Sequence, residues 1–333
     1  MAWEIAAAGL TLAVVLVNGW TDAPNAIAGA VGTGALSMGR AAALAAAGNL
    51  AGAWFTACLG GQVARTVFGL ADFGGDPASA AAGLCAALAA IVLWAVGAWR
   101  LGIPTSESHA LAAGICGAAL ALGGGERLRP GPWLLVLAGL GGSLVLGMLG
   151  GWLTARVVRR LPGRRTAAAR RFFRRSQVAG AAAMAFLHGA QDGQKFLGIL
   201  LLVSSLGGGW QFPEDPRVPA LVCAGVMAAG TAMGGGRIVR TVGQKMVGME
   251  DWQGFSADLW GILCLGVSTW WGVPVSTTHT KTAALLGAAA AGEPPRVDWR
   301  IAGEMVVAWV LTFPACGLLA WALTKVFLGG AVG

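Results

Sequence analysis

Residues 102–109 read Gly-Ile-Pro-Thr-Ser-Glu-Ser-His, and residues 272–279 read Gly-Val-Pro-Val-Ser-Thr-Thr-His. These two hydroxyl motifs are 170 positions apart. A second pair of motifs has the same offset: residues 19–22 read Gly-Trp-Thr-Asp, and residues 189–192 read Gly-Ala-Gln-Asp. Gly117 and Gly287 share that offset too. A constant offset between several matching motifs indicates an internal repeat.

The composition is that of a membrane protein. Hydrophobic residues make up 56% of the 333 positions and charged residues only 11%, and the mean hydropathy is +0.69. A soluble domain carries about 25% charged residues, and a disordered chain needs low hydrophobicity with high net charge. At roughly 20 residues per crossing, the length allows about 10–12 membrane segments with short loops. The sequence therefore predicts an all-α polytopic membrane protein.

The basic residues are concentrated between the two halves. Nine arginines and no acidic residue lie between positions 156 and 175, within a net charge of +8. Between two hydrophobic halves, this pattern indicates a cytoplasmic linker that obeys the positive-inside rule rather than a nucleic-acid site. We therefore predict a first membrane repeat over 1–155, an Arg-rich cytoplasmic loop over 156–176 and a second membrane repeat over 177–333.

The distribution of positive charge also predicts orientation. Residues 1–39 contain no Lys or Arg, so the N-terminus is expected outside the cell membrane. An odd number of crossings would then separate it from the arginine-rich loop. A duplicated half with an odd number of crossings inserts upside down, which is the inverted-repeat plan of many secondary transporters. We therefore expect two inverted-topology repeats with broken or re-entrant helices, whose motifs meet near the midplane.

The aspartate motifs carry charge where lipid is expected. A charged side chain at the bilayer centre costs about 2.5–3.5 kcal/mol on insertion scales, so Asp22 and Asp192 should face a partner or water. Gly19 and Pro24 predict a helix break near residues 18–25. Asp22 and Asn25 offer hard oxygen ligands for a small cation such as Na⁺, or Asp22 could carry a proton instead.

The second aspartate motif adds further polar groups. Gln191 and Gln194 supply additional oxygen atoms, and Lys195 could neutralise Asp192 or contact an anion. His188 opens this motif as a proton-relay or orienting group.

The hydroxyl motifs suit an anion. Pro104 and Pro274 are expected in the first turn of a helix, where unpaired N–H groups and the positive end of the helix dipole bind anions. His109 and His279 follow the hydroxyls, either as proton relays or as orienting hydrogen-bond partners. The hydroxyl side chains at the two helix ends are Ser106, Ser108, Ser276, Thr277 and Thr278.

At these motifs the chain resembles the inorganic phosphate transporter family. The family's Gly-Ala-Asn-Asp-Val-Ala-Asn-Ala appears here as residues 19–26, and its Pro-Val-Ser-Thr-Thr-His is unchanged at residues 274–279. Residues 188–195 are similar to its second signature, and residues 235–243 and 254–257 also look like the family. The resemblance extends from about residue 15 to about residue 290.

The resemblance implies a cation-coupled importer of inorganic phosphate that works by alternating access, is not an enzyme, has no cofactor beyond its coupling ion, and forms a homodimer in the bilayer. It implies phosphate binding by the five hydroxyl residues together with Gln194 and Lys195. It implies binding of the coupling cation, Na⁺ or H⁺, by the residues of the aspartate motifs: Asp22, Asn25, Asp192, Thr21 and Gln191.

Several alternatives stay open at this point. Thr21 and Gln191 replace asparagines of the family signatures, so the coupling ion is Na⁺ or H⁺. The substrate could be sulfate or a metal–phosphate complex instead of phosphate. Two remote alternatives are an intramembrane serine hydrolase built on Ser106 or Ser276, which a matched duplicate makes redundant, and a passive anion channel.

Overall fold

The computed structural model describes residues 2–59, 61–103, 105–206, 217–233 and 235–329. Within these residues the chain is α-helical, and β-structure is limited to two isolated bridges. The predicted all-α class is confirmed. The helices, numbered in chain order, are α1 Ala2–Thr21, α2 Pro24–Gly32, α3 Met38–Cys58, α4 Gln62–Phe68, α5 Pro77–Leu101, α6 Glu107–Gly123, α7 Pro130–Arg159, α8 Ala167–Ser205, α9 Arg217–Ala232, α10 Gly236–Arg240, α11 Asp251–Trp270, α12 Thr277–Ala290 and α13 Trp299–Gly329.

Five helical segments in the described chain are long and apolar enough to cross a membrane, or six if the bent pair of α9 and the segment that begins with α10 counts as one. They are α1 joined to α2, α3, α5, α7 and α13. This is fewer than the 10–12 segments expected from length. Of the helices that carry the motifs, α1 joined to α2 belongs to this set. α6 and α12 fall outside it because they are short, and α8 falls outside it because its polar motif residues lower its hydropathy.

The first aspartate motif lies at a helix break, whereas the second does not. α1 ends at Thr21, and Pro24 begins α2 at the position where a missing N–H costs nothing. Residues 188–195 instead lie inside the continuous helix α8. The helix break predicted near residues 18–25 is confirmed, and the second motif lies in an unbroken helix. Its glycines lower helix propensity by only about 1 kcal/mol each, and no proline blocks the backbone hydrogen bonds.

The stretch predicted as an arginine-rich loop over 156–176 is helical at both ends. α7 continues to Arg159 and α8 begins at Ala167, so residues 160–166 form the irregular connection between them. The arginines at both ends of the stretch extend helices, because arginine is a good helix former.

The two halves interlock rather than fold side by side. α6 packs against α13, while α12, its counterpart at the offset of 170, packs against α7. In the same way α5 packs against α13 and α7 packs against α11, and α1 packs against α9 while α3 packs against α8. Each helix contact within this set thus has a counterpart in which the two halves have exchanged roles.

The repeated glycines lie at these crossings. A Cβ on Gly19 would overlap the carbonyl oxygen of Met227, and one on Gly189 would overlap that of Asn49. Small residues let helix backbones approach closely in a membrane protein. A Cβ on Gly117 would likewise overlap the carbonyl oxygen of Gly317, and one on Gly287 that of Met148. The matching glycines therefore allow close helix packing.

α6 and α12 leave the centre of the molecule toward different ends. α6 leads to Ala121, whose carbonyl accepts from Lys325 near the end of α13. α12 leads to Ala291, whose carbonyl accepts from Arg159 at the arginine-rich face. One large apolar cluster lies around α5 and α6, and a second around α11 and α12. The buried polar residues of the motifs lie between these clusters.

Candidate functional site

The two hydroxyl motifs meet at the start of α6 and α12. Ser106 and Ser276 are the N-cap residues of these helices, and their Oγ atoms are 2.8 Å apart. Each Oγ also accepts a hydrogen bond from the backbone N–H of the histidine three residues on, over 3.3 Å from His109 and 3.1 Å from His279. Both serines are completely buried. Two helix N-termini therefore point at one place, an arrangement that favours an anion.

Pro274 lies elsewhere than predicted. Pro274 is two residues before the N-cap Ser276 and so precedes the first turn. A proline before the cap favours extended backbone in the residue that precedes it. Pro104 lies outside the described residues.

The first aspartate motif contacts the second hydroxyl motif. Asp22 Oδ1 accepts from Asn25 Nδ2 over 3.0 Å and from the hydroxyl of Thr278. Asp22 Oδ2 lies 3.3 Å from Thr277 Oγ1. All four side chains are buried.

The second aspartate motif contacts the first hydroxyl motif. The Lys195 ammonium donates to Asp192 Oδ1 over 2.5 Å and to Ser108 Oγ over 2.7 Å. It also donates to the backbone carbonyl of Val275 over 2.7 Å. Lys195 thus connects both hydroxyl motifs to Asp192, and it is only 2% exposed.

The two aspartates come together beside His188. Ligand atoms of Asp22, His188 and Asp192 all lie within 4.8 Å of one another. His188 Nε2 is 3.4 Å from Asp192 Oδ2, which also accepts from Asn18 Nδ2 over 3.0 Å. Carboxylate and amide oxygens are the ligands of hard cations. Three buried amide oxygens have no hydrogen-bond partner within the described residues: Asn18 Oδ1, Asn25 Oδ1 and Gln191 Oε1.

Glu107 adds a third carboxyl group to this centre. Thr21 Oγ1 lies 2.9 Å from Glu107 Oε1 and 2.8 Å from the Val17 carbonyl. A hydroxyl has one proton, so both contacts are satisfied together only when Glu107 is protonated and donates to Thr21. Thr21 is therefore bonded to Glu107 rather than to the aspartates.

Not every predicted residue lies at this centre. Gln194 Oε1 accepts from the backbone N–H of Val63 over 3.0 Å, so its amide is directed toward α4. The rings of His109 and His279 pack against each other at a tilt of 50°, with centroids 4.5 Å apart, and the His279 ring packs on that of Trp309 with centroids 4.2 Å apart. Within the described residues neither serine pairs with an imidazole nitrogen, as a serine hydrolase would require.

Sequence reasoning missed Asn18 and Asn49. Asn18 lies four residues before Asp22, and the Asp22 N–H donates to the Asn18 carbonyl over 2.9 Å just past the end of α1, so the two residues lie on one side of the chain. Asn49 Oδ1 is 2.9 Å from His188 Nδ1, and its Nδ2 donates to Thr231 over 2.9 Å. The available signal was a polar side chain within an apolar helix, which is also what drew attention to Asp22.

The sequence matches the model of the phosphate transporter family over residues 18–320. A Mycobacterium bovis protein named probable low-affinity inorganic phosphate transporter is 36% identical over 336 residues, which cover 97% of this chain and 77% of the relative. A Bacillus subtilis protein of the same name is 32% identical, with 92% of each chain covered.

A solved structure, titled the sodium-dependent phosphate transporter, superposes with a TM-score of 0.88. The alignment covers 98% of this chain and 99% of that one at 21% sequence identity, so it establishes the shared fold.

Proposed function

Because the chain belongs to the phosphate transporter family, we propose that it is a cation-coupled secondary transporter that imports inorganic phosphate by alternating access. It is a multi-pass membrane protein and not an enzyme. We place it in the cell membrane with the N-terminus outside and the arginine-rich face in the cytoplasm, since positive charge is retained on that side.

The contact between Ser106 and Ser276 carries the proposal for the anion. Two buried helix N-termini, with Lys195 bonded to Ser108 beside them, give phosphate both hydroxyl donors and one positive charge. A bound phosphate would replace the hydrogen bond between the two serines with bonds to its own oxygens. The proposed phosphate ligands are Ser106, Ser108, Ser276, Thr277, Thr278 and Lys195. Gln194 is a further proposed ligand, whose amide is bonded to α4 in this structure.

The charge of the centre supports cation coupling. Glu107 interacts electrostatically with both Asp22 and Asp192, and Asp192 is bonded to Lys195. An anion that enters a centre already rich in carboxylates is stabilised only if cations or protons enter with it, because unpaired buried charge is costly. Transport of phosphate and of positive charge are thereby linked.

Two observations bear on which ion is coupled. The unpaired amide oxygens of Asn18, Asn25 and Gln191 beside Asp22 and Asp192 favour Na⁺, and the structural relative is named sodium-dependent. The hydrogen-bond count at Thr21 and Glu107 favours a proton on Glu107. A site that takes both ions satisfies both observations.

The exchanged helix contacts support inverted repeats. α6 and α12 begin at adjacent serines and lead to different ends of the molecule, as two copies related by a two-fold axis in the membrane plane would. Rocking of one group of helices against the other around this centre would then expose it to each side in turn. A homodimer, which the family resemblance implies, is part of the proposal, and sulfate or a metal–phosphate complex is the alternative substrate.

The decisive experiment is uptake of radiolabelled phosphate into proteoliposomes under separately imposed Na⁺ and H⁺ gradients. We expect accumulation that depends on one or both gradients, phosphate counterflow, and weak inhibition by sulfate. Flux that only follows the phosphate gradient, without counterflow, would instead identify a passive channel.

A further inference from the structure

A buried ion pair lies outside the site described above. Lys281 on α12 is hydrogen-bonded to Asp258 on α11, and the side chains are 1% and 3% exposed. Removing two charges from water costs several kcal/mol per ion, and a well-packed apolar pair is often as stable. The matching positions of the first half, at the offset of 170, are Leu111 and Leu88, both buried. The first half of the fold therefore holds two leucines at the equivalent positions. Stability alone does not explain why the second half has a charged pair there.

The pair lies between the central site and the arginine-rich face. On α12, Lys281 is one turn beyond Thr278, which contacts Asp22, and the helix continues to Ala291 beside Arg159. On α2, a Cβ at Gly29 would lie 3.6 Å from Lys281 Nζ and 3.8 Å from Asp258 Oδ1. Gly29 is itself midway between Asn25 at the site and Thr33 near the other end.

α8 passes the same three places in the reverse order, from the arginine-rich face past the ion pair to the central site. A Cβ at Gly180 would lie 2.8 Å from Asp258 Oδ2. One turn earlier, Gln177 Oε1 accepts from Thr33 over 2.7 Å, and its Nε2 donates to the Asp251 carbonyl over 2.9 Å. The motif of Asp192 follows Gly180 by about three turns. Along α12, α2 and α8 alike, the ion pair therefore lies between the central site and the arginine-rich face.

The path ends in a cavity at the arginine-rich face. This cavity has a volume of about 370 Å³, and Thr33 and Asp251, the two partners of Gln177, line it. Arg164, Arg165 and Arg170 line it as well, and Glu250, which is paired with Arg165, is the other acidic lining residue besides Asp251. Three arginines against two carboxylates leave a net positive charge that suits an anion leaving the protein. Gln177 therefore lies between the cavity, whose lining residues it bonds, and the ion pair, which lies one helical turn further along α8.

The ion pair has free hydrogen-bonding capacity of both kinds. The Lys281 ammonium has three N–H donors, and Asp258 is its one partner in the described part of the chain. Asp258 Oδ2 accepts from no group there, although it is buried. Phosphate at neutral pH offers oxygen acceptors together with a P–OH donor, whereas sulfate offers acceptors alone. A lysine beside a free carboxylate oxygen is complementary to the first ion and leaves its carboxylate unsatisfied by the second.

We propose that Lys281 and Asp258 form a second phosphate-binding station on the path from the central site to the arginine-lined cavity, closed by their own ion pair between transits. The proposal rests on phosphate transport as proposed above. Phosphate that leaves the serines would insert between the two side chains, with its oxygens on Lys281 and its P–OH on Asp258. The direct ion pair re-forms when phosphate has passed, which closes the path behind it.

The test replaces the pair with the residues of the first half. Asp258→Leu combined with Lys281→Leu should fold, with thermal unfolding in detergent close to wild type, and should keep phosphate affinity at the central site within about twofold. Uptake into proteoliposomes should fall at least about tenfold, the equivalent of one lost charged hydrogen bond. Lys325→Leu, which removes a lysine on α13 away from the path, is the control and should retain wild-type uptake.

A second variant tests the chemistry of the station. Asp258→Asn keeps the size of the side chain but replaces an acceptor with an amide that can also donate. We expect the ratio of phosphate to sulfate uptake to fall about tenfold, because sulfate then finds a donor. This readout would not respond to a merely structural ion pair, and it decides the matter if the double leucine variant does not fold.

Three results separate the possible failures. Wild-type uptake by the double leucine variant, or an unchanged phosphate-to-sulfate ratio in Asp258→Asn, would overturn the second station while leaving the transporter proposal intact. Absence of phosphate uptake by the wild-type protein would overturn the transporter proposal itself, and the station with it.

Discussion

The Lys195 ammonium lies 2.7 Å from Ser108 Oγ, although 87 residues separate the two in the chain. The contact connects the second aspartate motif to the first hydroxyl motif. The first aspartate motif makes the reciprocal contact, from Asp22 to Thr278. The proposed anion and cation ligands are therefore hydrogen-bonded to one another. Substitution of a residue in one group should alter binding by the other group as well.

Replacement of Lys195 with methionine should weaken phosphate binding at least about tenfold, since a charged hydrogen bond contributes about 1.5–3 kcal/mol. Equilibrium binding of labelled phosphate to the purified protein measures the effect. Lys325→Met is the matched control, because that lysine bonds a backbone carbonyl on α6 instead. Unchanged affinity in Lys195→Met would remove this lysine from the anion site.

Asp22→Asn and Asp192→Asn should each abolish cation-driven uptake while the protein remains folded. The amide keeps the shape of the side chain but removes the negative charge that attracts a coupling ion. Uptake under Na⁺ and H⁺ gradients tests activity, and thermal unfolding in detergent tests folding. Wild-type rates in either variant would refute a coupling role for that aspartate.

Ser106→Ala and Ser276→Ala should reduce phosphate affinity by similar factors, about 5- to 10-fold. Each change also leaves the other serine without its 2.8 Å partner, so the double variant should lose less than the two single losses combined. Phosphate titrations of all three variants provide the comparison. Ser143→Ala is the control, since that buried hydroxyl bonds only the backbone of its own helix. Strictly additive losses would argue against a shared anion between the serines.

Gly287→Ala should destabilise the protein by about 1–3 kcal/mol, because the added methyl group has to be accommodated against the backbone of Met148 on α7. Gly141→Ala, on an exposed position of the same α7 with open space around it, should be neutral or stabilising by up to about 1 kcal/mol. Thermal unfolding in detergent measures both. Equal unfolding temperatures would show that close approach of these helices does not limit stability.

The constant offset of 170 made the convergence of the motifs predictable. It pairs Ser106 with Ser276 and Asp22 with Asp192, and the structure brings both pairs together. The break at Asp22 was predictable too, because Pro24 cannot continue the helix. A repeat and a proline are local signals that tertiary packing does not easily override.

Other features depended on packing that no local signal encodes. The course of α8 through residues 188–195 is set by the neighbouring helices α3 and α11, which outweigh two glycines. Gln194 is turned toward α4 because Val63 offers it a backbone donor. Lys281 and Asp258 have apolar counterparts in the first half, so comparison of the halves could not find them.

The exchange of helices between the halves has a consequence for how the chain is made. α6 packs against α13, which emerges from the ribosome about two hundred residues later. Until α13 is made, α5 and α6 lack the helix against which both of them pack, and until α12 is made, Ser106 lacks its partner Ser276. Biogenesis of the first half therefore cannot finish before α13 has been made, and premature truncation anywhere before α13 should yield a protein that quality control removes.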